Sequence, residues 1–256
     1  RDGLGRPVEW LVQKGEQPLA TLRFGWQGAS RLVRVEDPSR GVRAHRHDAR
    51  GRLVQVGGLV RAVDEVGRVY HAPARDDHRY GPDGRLEESQ GVEYRYDEAG
   101  RRIEKASPLG DVTRYRWDAL GRLVAVELSE DRRVTYDYDA LGRRVVRRLE
   151  EKLAIEGLDE PVWEAKRRTR FVWDGLAIVH EVDEDEVVSW IREAGELVGM
   201  LKGDRAYAVL TDPLGCVTEM VDDEGELVWR GTVDAFGALQ RERAQVACPW
   251  RFPGHW

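Results

Sequence analysis

The chain is 256 residues long and 41% hydrophobic, so it carries enough apolar material to bury a core and is not a disordered polymer. Its net charge of −6 divides unevenly: residues 1–170 hold 34 Lys/Arg against 30 Asp/Glu, and residues 171–256 hold 7 against 17. Nearly every arginine has acidic neighbours that blunt a phosphate-attracting field, which argues against nucleic acid as a partner, and no apolar run approaches the roughly 20 residues of a membrane span.

The opening residues, Arg1-Asp2-Gly3-Leu4-Gly5-Arg6, are not a signal peptide, so export is expected to use a secretion system or a segment not present here. Further on, Asp-x-x-Gly occurs nine times, with glycines at 5, 51, 67, 100, 121, 142, 215, 225 and 237. Composition alone predicts about two. Six of the nine are followed by Arg, and Gly84-Arg85 is a variant whose Asp83 stands next to the glycine. Glycines 51, 67, 84, 100, 121 and 142 lie 16, 17, 16, 21 and 21 residues apart, the length of a strand, a turn and a returning strand. Asp opens such a turn by accepting hydrogen bonds from nearby backbone N–H groups, and Gly supplies the left-handed conformation that closes it. The residues expected to build these turns are Asp48, Gly51, Asp64, Gly67, Gly84, Asp97, Gly100, Asp118, Gly121, Asp139, Gly142, Asp212, Gly215, Asp234 and Gly237.

The flanks read as strands. Val92, Tyr94 and Tyr96 alternate with Glu93, Arg95 and Asp97, and Val134, Tyr136 and Tyr138 alternate with Arg133, Thr135 and Asp137. The return strands 122–128 and 143–148 are equally β-prone, and no three-turn amphipathic helix appears in residues 40–150. After Arg148 the rhythm breaks, and 150–169 reads as an inserted loop or short helix. Strand character resumes at Arg170-Phe171-Val172-Trp173-Asp174. The expected organisation is therefore 1–149 regular repeat sheet, 150–169 insertion, and 170–256 continuing sheet, all one continuous mainly-β structure of repetitive antiparallel hairpins.

Tyr96-Asp97-Glu98-Ala99-Gly100-Arg101, Trp117-Asp118-Ala119-Leu120-Gly121-Arg122-Leu123 and Tyr138-Asp139-Ala140-Leu141-Gly142-Arg143 resemble the YD repeats of bacterial Rhs proteins, insecticidal toxin-complex subunits and teneurins. The late part of the Rhs core is similar to the ordered set Phe171-Val172-Trp173-Asp174-Gly175, Asp212-Pro213-Leu214-Gly215, Val233-Asp234-Ala235-Phe236-Gly237 and Trp250-Arg251-Phe252-Pro253-Gly254, so the resemblance covers roughly 40–254. It implies a curved β-sheet wall, part of a spiral β-cage that encloses a C-terminal toxin and helps deliver it to a competing cell. The implied partners are the remainder of the shell, that cargo and secretion-system components, in a bacterial protein that is exported or cell-surface. The family's self-cleavage motif and toxin are expected to lie beyond this stretch, and Asp212 is expected to form a shell turn, not a cleavage site. A carbohydrate- or protein-binding adhesion module is the alternative, resting on the nine tryptophans.

A catalytic constellation is not visible: none of the serines lies in Gly-x-Ser-x-Gly, and no phosphate-binding glycine loop occurs. No enzyme activity and no cofactor are expected. His45-Arg46-His47-Asp48 places two imidazoles on one face of a strand, yet His47 fills the aromatic slot before a repeat Asp, so no metal site is expected. The run 181–186 lacks the glycine and spaced ligands of a calcium loop and reads as an acidic hairpin tip. Cys216 and Cys248 have no C-x-x-C spacing and read as semi-buried thiols.

Overall fold

The computed structural model describes residues 1–14, 16–38, 40–154, 161–184, 186–212, 215–233 and 239–250. All regular structure among them is β-strand, and the strands pair antiparallel. The chain forms two compact units, one of residues 78–208 and one of residues 1–77 together with 209–256.

In the discontinuous unit, β1 (Glu9–Lys14), β2 (Gln17–Gln27), β3 (Arg31–Asp37), β4 (Gly41–His47), β5 (Leu53–Val56) and β6 (Leu59–Val60) make one sheet in sequence order. β7 (Ala62–Val63) pairs with β8 (Val69–Tyr70). The same unit contains β22 (Val217–Asp222), β23 (Leu227–Val233) and β24 (Leu239–Ala244), which supply its deepest core: Met220 and Trp229 are essentially sealed from solvent. An ionic contact with a largely exposed partner links the two sequence-distant parts of this unit. Arg40, in the β3–β4 turn, lies 3.4 Å from the Glu242 carboxylate on β24.

The continuous unit holds β9 (His78–Tyr80), β10 (Leu86–Ser89), β11 (Val92–Tyr96), β12 (Arg102–Ala106), β13 (Val112–Trp117), β14 (Leu123–Glu127), β15 (Arg132–Tyr138), β16 (Arg144–Leu153), β17 (Val162–Asp174), β18 (Ala177–Val182), β19 (Val187–Glu193) and β20 (Glu196–Lys202), each pairing with the next; β21 (Arg205–Thr211) follows and runs across the unit boundary. Period-two alternation gives the sheet its two faces. In β11, Val92, Tyr94 and Tyr96 are half-buried while Glu93 and Arg95 are exposed. The charged face is cross-linked between strands, with Arg114 3.4 Å from Glu104, Arg116 2.7 Å from Glu127 and Arg133 2.7 Å from Glu150. Strands 86–117 contribute no fully buried side chain, whereas Phe171, Ile178, Trp190, Met200 and Tyr207 are buried.

The segment 150–169 differs from the sequence expectation. Residues 150–153 continue β16 and 162–169 belong to β17, paired from Val146↔Arg170 to Leu153↔Val162; residues 155–160 lie outside the described part. Trp163 explains the extension. Arg133 covers its ring at 4.0 Å and Lys152 at 5.3 Å, so the hairpin gains an aromatic anchor that turn periodicity does not report. The compact units also divide the chain differently from 1–149 and 170–256, because 209–256 falls in one unit with 1–77.

Candidate functional site: the clamped turn edge

Each repeat turn is one hydrogen-bonded device. In the turn at 97–101, the Asp97 N–H donates to the Arg101 carbonyl at 2.9 Å and the Gly100 N–H donates to the Asp97 carbonyl at 2.9 Å. Asp97 Oδ1 accepts from the Arg101 N–H at 2.8 Å, and Oδ2 accepts from Arg101 Nε at 2.7 Å. The turns opened by Asp2, Asp48, Asp118 and Asp139 repeat the pattern with Arg6, Arg52, Arg122 and Arg143. These contacts hold the aspartates below the usual carboxylate range: at Asp48, Asp97 and Asp118 the largest cause is the N–H of the following arginine, with its guanidinium adding to it.

The remaining expected turn residues vary the same plan. Asp64 accepts from the N–H groups of Val66 and Arg68 at 3.0 and 2.8 Å, with Gly67 closing the turn. At Gly84 the first position is Gly81, and Asp83 delivers its carboxylate from within the turn to the Arg85 N–H at 3.1 Å. Asp212 accepts from the Cys216 N–H at 3.0 Å, and the Gly215 N–H donates to the Asp212 carbonyl at 2.8 Å. Asp234 and Gly237 lie outside the described residues, as do Pro213, Leu214 and residues 251–256.

Ser107 was not expected from the sequence. It opens a turn in place of Asp: its hydroxyl accepts from the Leu109 and Asp111 N–H groups at 3.3 and 3.2 Å, and the Gly110 N–H donates to its carbonyl at 3.0 Å. A Ser-x-x-Gly search is the signal that finds it, since a serine hydroxyl plays the Asp part more weakly.

Two further contacts link neighbouring hairpins. The arginine of one turn reaches a carbonyl of the next, the first in two cases: Arg52 Nη1 to Asp64 O at 2.9 Å and Arg101 Nη1 to Asp118 O at 3.1 Å, with Arg143 Nη1 reaching Gly175 O, the second residue of its turn, at 2.8 Å. The aromatic residues before Asp97, Asp118, Asp139 and Asp174 reach back. Tyr96 Oη donates to Leu86 O at 2.8 Å, Trp117 Nε1 to Arg102 O at 2.9 Å, Tyr138 Oη to Leu123 O at 2.7 Å and Trp173 Nε1 to Arg144 O at 2.9 Å. The acceptor is always the residue after the preceding arginine. Arg85, Arg122 and Arg143 also stack on Tyr96, Tyr138 and Trp173 of the hairpin that follows.

A β-bulge aims the aromatic ring. The register shifts between Arg95 and Tyr96, between Arg116 and Trp117, between Asp137 and Tyr138, and between Val172 and Trp173, immediately before the clamping ring each time. Glycine is favoured at position 100 by its φ of +82°, and an added Cβ would meet Arg85 Nη2 at 2.8 Å, displacing the end of that flexible side chain. From Arg85 to Gly175 the repeated aromatic, Asp, Gly and Arg positions thus link successive hairpins in both directions.

The other candidate chemistry takes structural places. His45 and His47 are half-buried, and burial lowers the His45 pKa. Asp183, in the acidic run, accepts from Arg167 Nε at 2.8 Å, and its N–H closes the hairpin on Glu186 O at 2.9 Å; Asp185 lies outside the described residues. The Cys216 thiol is pushed up to about 11, by burial first and the neighbouring Asp212 carboxylate second, so it is protonated at neutral pH and a poor nucleophile. Cys248 is buried. Every described tryptophan is half-buried or buried, and Trp26, Trp117 and Trp173 give their N–H to backbone carbonyls.

Antiparallel hairpins joined edge to edge by such aromatic–Asp–Gly–Arg turns define a YD-repeat sheet. Residues 33–245 match the Teneurin YD-shell family, and the chain belongs to it. It is 27% identical over 264 residues to double-stranded DNA deaminase toxin A of Burkholderia cenocepacia (strain H111), covering 91% of this chain and 18% of that protein. It is 30% identical over 310 residues to toxin protein Tse5 of Pseudomonas aeruginosa PAO1, covering 100% of this chain and 22% of that protein. The chain thus spans about a fifth of the length of these curated relatives. In fold it is similar to the TcdB2-TccC3-TEV crystal structure (TM-score 0.52, 13% identity, 93% of this chain and 14% of that one). A Photorhabdus luminescens Tc holotoxin pore is similar too (TM-score 0.50, 13% identity, 94% and 14%).

Proposed function

We propose that this chain is a segment of the wall of an Rhs-type toxin shell, a curved strip of a spiral β-cage that encloses a C-terminal toxin domain and assists its delivery. The observation that carries this reading is the two-way clamp: Arg101 Nη1 on Asp118 O at 3.1 Å in one direction and Trp117 Nε1 on Arg102 O at 2.9 Å in the other. A wall must resist shear between hairpins, and the clamp adds side-chain-to-backbone bonds between successive turns to the ladder bonds and cross-strand pairs of an ordinary sheet. The turn residues Asp48, Asp64, Asp97, Asp118, Asp139 and Asp212, with their glycines, are structural staples in this account.

Asymmetry of the two faces supports an orientation. The charged face, with its Arg–Glu pairs, faces solvent, and the face bearing Tyr94, Tyr115 and Tyr136 lines the interior. Aromatic rings backed by stacked arginines, as where Arg102 lies 4.6 Å from the Tyr115 ring, offer adaptable contact to both apolar and acidic parts of an enclosed chain. The segment takes no catalytic step in this account. Its partners are further shell, a downstream toxin and components of a bacterial export route. Limited proteolysis of the natural full-length polypeptide tests the reading: a toxin domain protected until the wall is unfolded supports it, and one cleaved as fast as the isolated domain contradicts it.

A further inference from the structure

We propose that His71, Asp77 and His78 form a site for a divalent transition metal of the zinc type, in the loop that leads from β8 into β9. One ring nitrogen of each histidine and one carboxylate oxygen of Asp77 lie within 4.8 Å of one another. Zinc bonds of about 2.0–2.1 Å place neighbouring ligand atoms about 3.4 Å apart, so small side-chain movements close the set on an ion. All three residues belong to one continuous stretch of chain, and spacing alone does not announce them, because five residues separate His71 from the Asp77-His78 pair.

The loop's own hydrogen bonds hold these groups in place. The His71 and Ala72 N–H groups donate to Asp77 Oδ2 and Oδ1 at 2.7 and 3.1 Å, which fixes the carboxylate against the start of the loop and leaves each oxygen a further lone pair. The Arg75 N–H donates to Ala72 O at 3.0 Å, Arg75 sits in the left-handed region at φ 61°, and its guanidinium donates to Val63 O at 3.1 Å. His78 is buried, its ring stacks on Tyr80, and Ser89 Oγ lies 3.2 Å from its Nε2. Contacts of this kind, one step out from the ligands, set the ring orientation that a metal needs.

The donor set selects the ion. Two imidazoles and one carboxylate suit Zn²⁺ and its neighbours in the transition series, whereas Mg²⁺ and Ca²⁺ take oxygen ligands. Three protein ligands leave a fourth position to water. The ion ties the start of the loop at His71 to its end at Asp77 and His78, a structural role in which the free energy of binding adds to that of folding. The site does not depend on what the sheet encloses.

Titration calorimetry of the metal-free chain with Zn²⁺ tests the proposal. The wild type should bind a single equivalent, Mg²⁺ and Ca²⁺ should not compete, and Co²⁺ in place of zinc should give the visible absorption of a four-coordinate centre. His71→Ala keeps the main-chain N–H on Asp77 and should weaken Zn²⁺ binding at least about 100-fold with unchanged circular dichroism. His71→Phe, which keeps the ring volume, provides the same reading should the alanine disturb the loop. His180→Ala, at a histidine paired with Ser189, should bind Zn²⁺ as the wild type does. A wild type that binds no Zn²⁺, undiminished binding in the His71 variants, or a loss in His180→Ala equal to that in His71→Ala would each overturn the proposal.

Discussion

Arg101 donates from Nη1 to the main-chain carbonyl of Asp118, the residue that opens the next turn, at 3.1 Å. Its Nε is bonded at the same time to Asp97, so one planar guanidinium ties two successive hairpins with a single rigid group. A lysine ammonium reaches one of these acceptors and not both. Arg101→Lys is therefore expected to lower the urea midpoint clearly more than Arg95→Lys, whose guanidinium is exposed and only 3.5 Å from Glu104. Equal midpoints would remove the bridging role.

Tyr138→Phe isolates the backward clamp. The hydroxyl bond to Leu123 O at 2.7 Å is lost while the ring stays in place. The expected cost is about 0.5–1.5 kcal/mol, read from equilibrium denaturation with an unchanged slope. A slope change would instead indicate an altered denatured or native ensemble, or loss of two-state unfolding, and the midpoint would no longer isolate the clamp.

Gly100→Ala and Gly121→Ala separate strain from crowding. Both positions have positive φ, +82° and +76°, so each alanine should cost roughly 1–2 kcal/mol. At 121 nothing lies within 4 Å of the added Cβ, whereas at 100 it meets Arg85 Nη2 at 2.8 Å. Gly100→Ala should be the more destabilising of the two, and Arg85→Ala should narrow the gap.

Acid should loosen the turns in a defined window. Asp48, Asp97 and Asp118 are held below their unfolded value, so their stabilisation is fully present above about pH 4 and is lost as pH falls through the depressed folded values. Denaturation midpoints should hold between neutral pH and about pH 5 as far as these groups are concerned, then drop. Asp118→Asn should be less stable at neutral pH and show a shallower acid drop; a wild-type-like acid profile would show that the turn carboxylates do not drive the loss.

Much of this was legible in the chain because turn chemistry is local. Asp and Gly at fixed spacing declare the turns at 48–51, 97–100, 118–121 and 139–142, and alternation in Val92–Tyr96 declares the sheet's two faces. What escaped is tertiary. The clamp of Arg143 on Gly175 spans 32 residues and has no sequence period, and the strands at 150–153 and 162–169 depend on packing around Trp163. The serine turn at 107–110 escaped for a different reason: a weaker acceptor does the work of Asp there. The grouping of 209–256 with 1–77 in one compact unit joins segments far apart in sequence, which no local pattern encodes.

The most direct measurement is a cryo-EM structure of this segment within its natural polypeptide. The account predicts a clamped strip curving around enclosed density, with Tyr94, Tyr115 and Tyr136 facing that density and the Arg116–Glu127 face turned to solvent. An empty sheet whose tyrosine face is open to solvent, with the toxin domain outside it, would contradict the account.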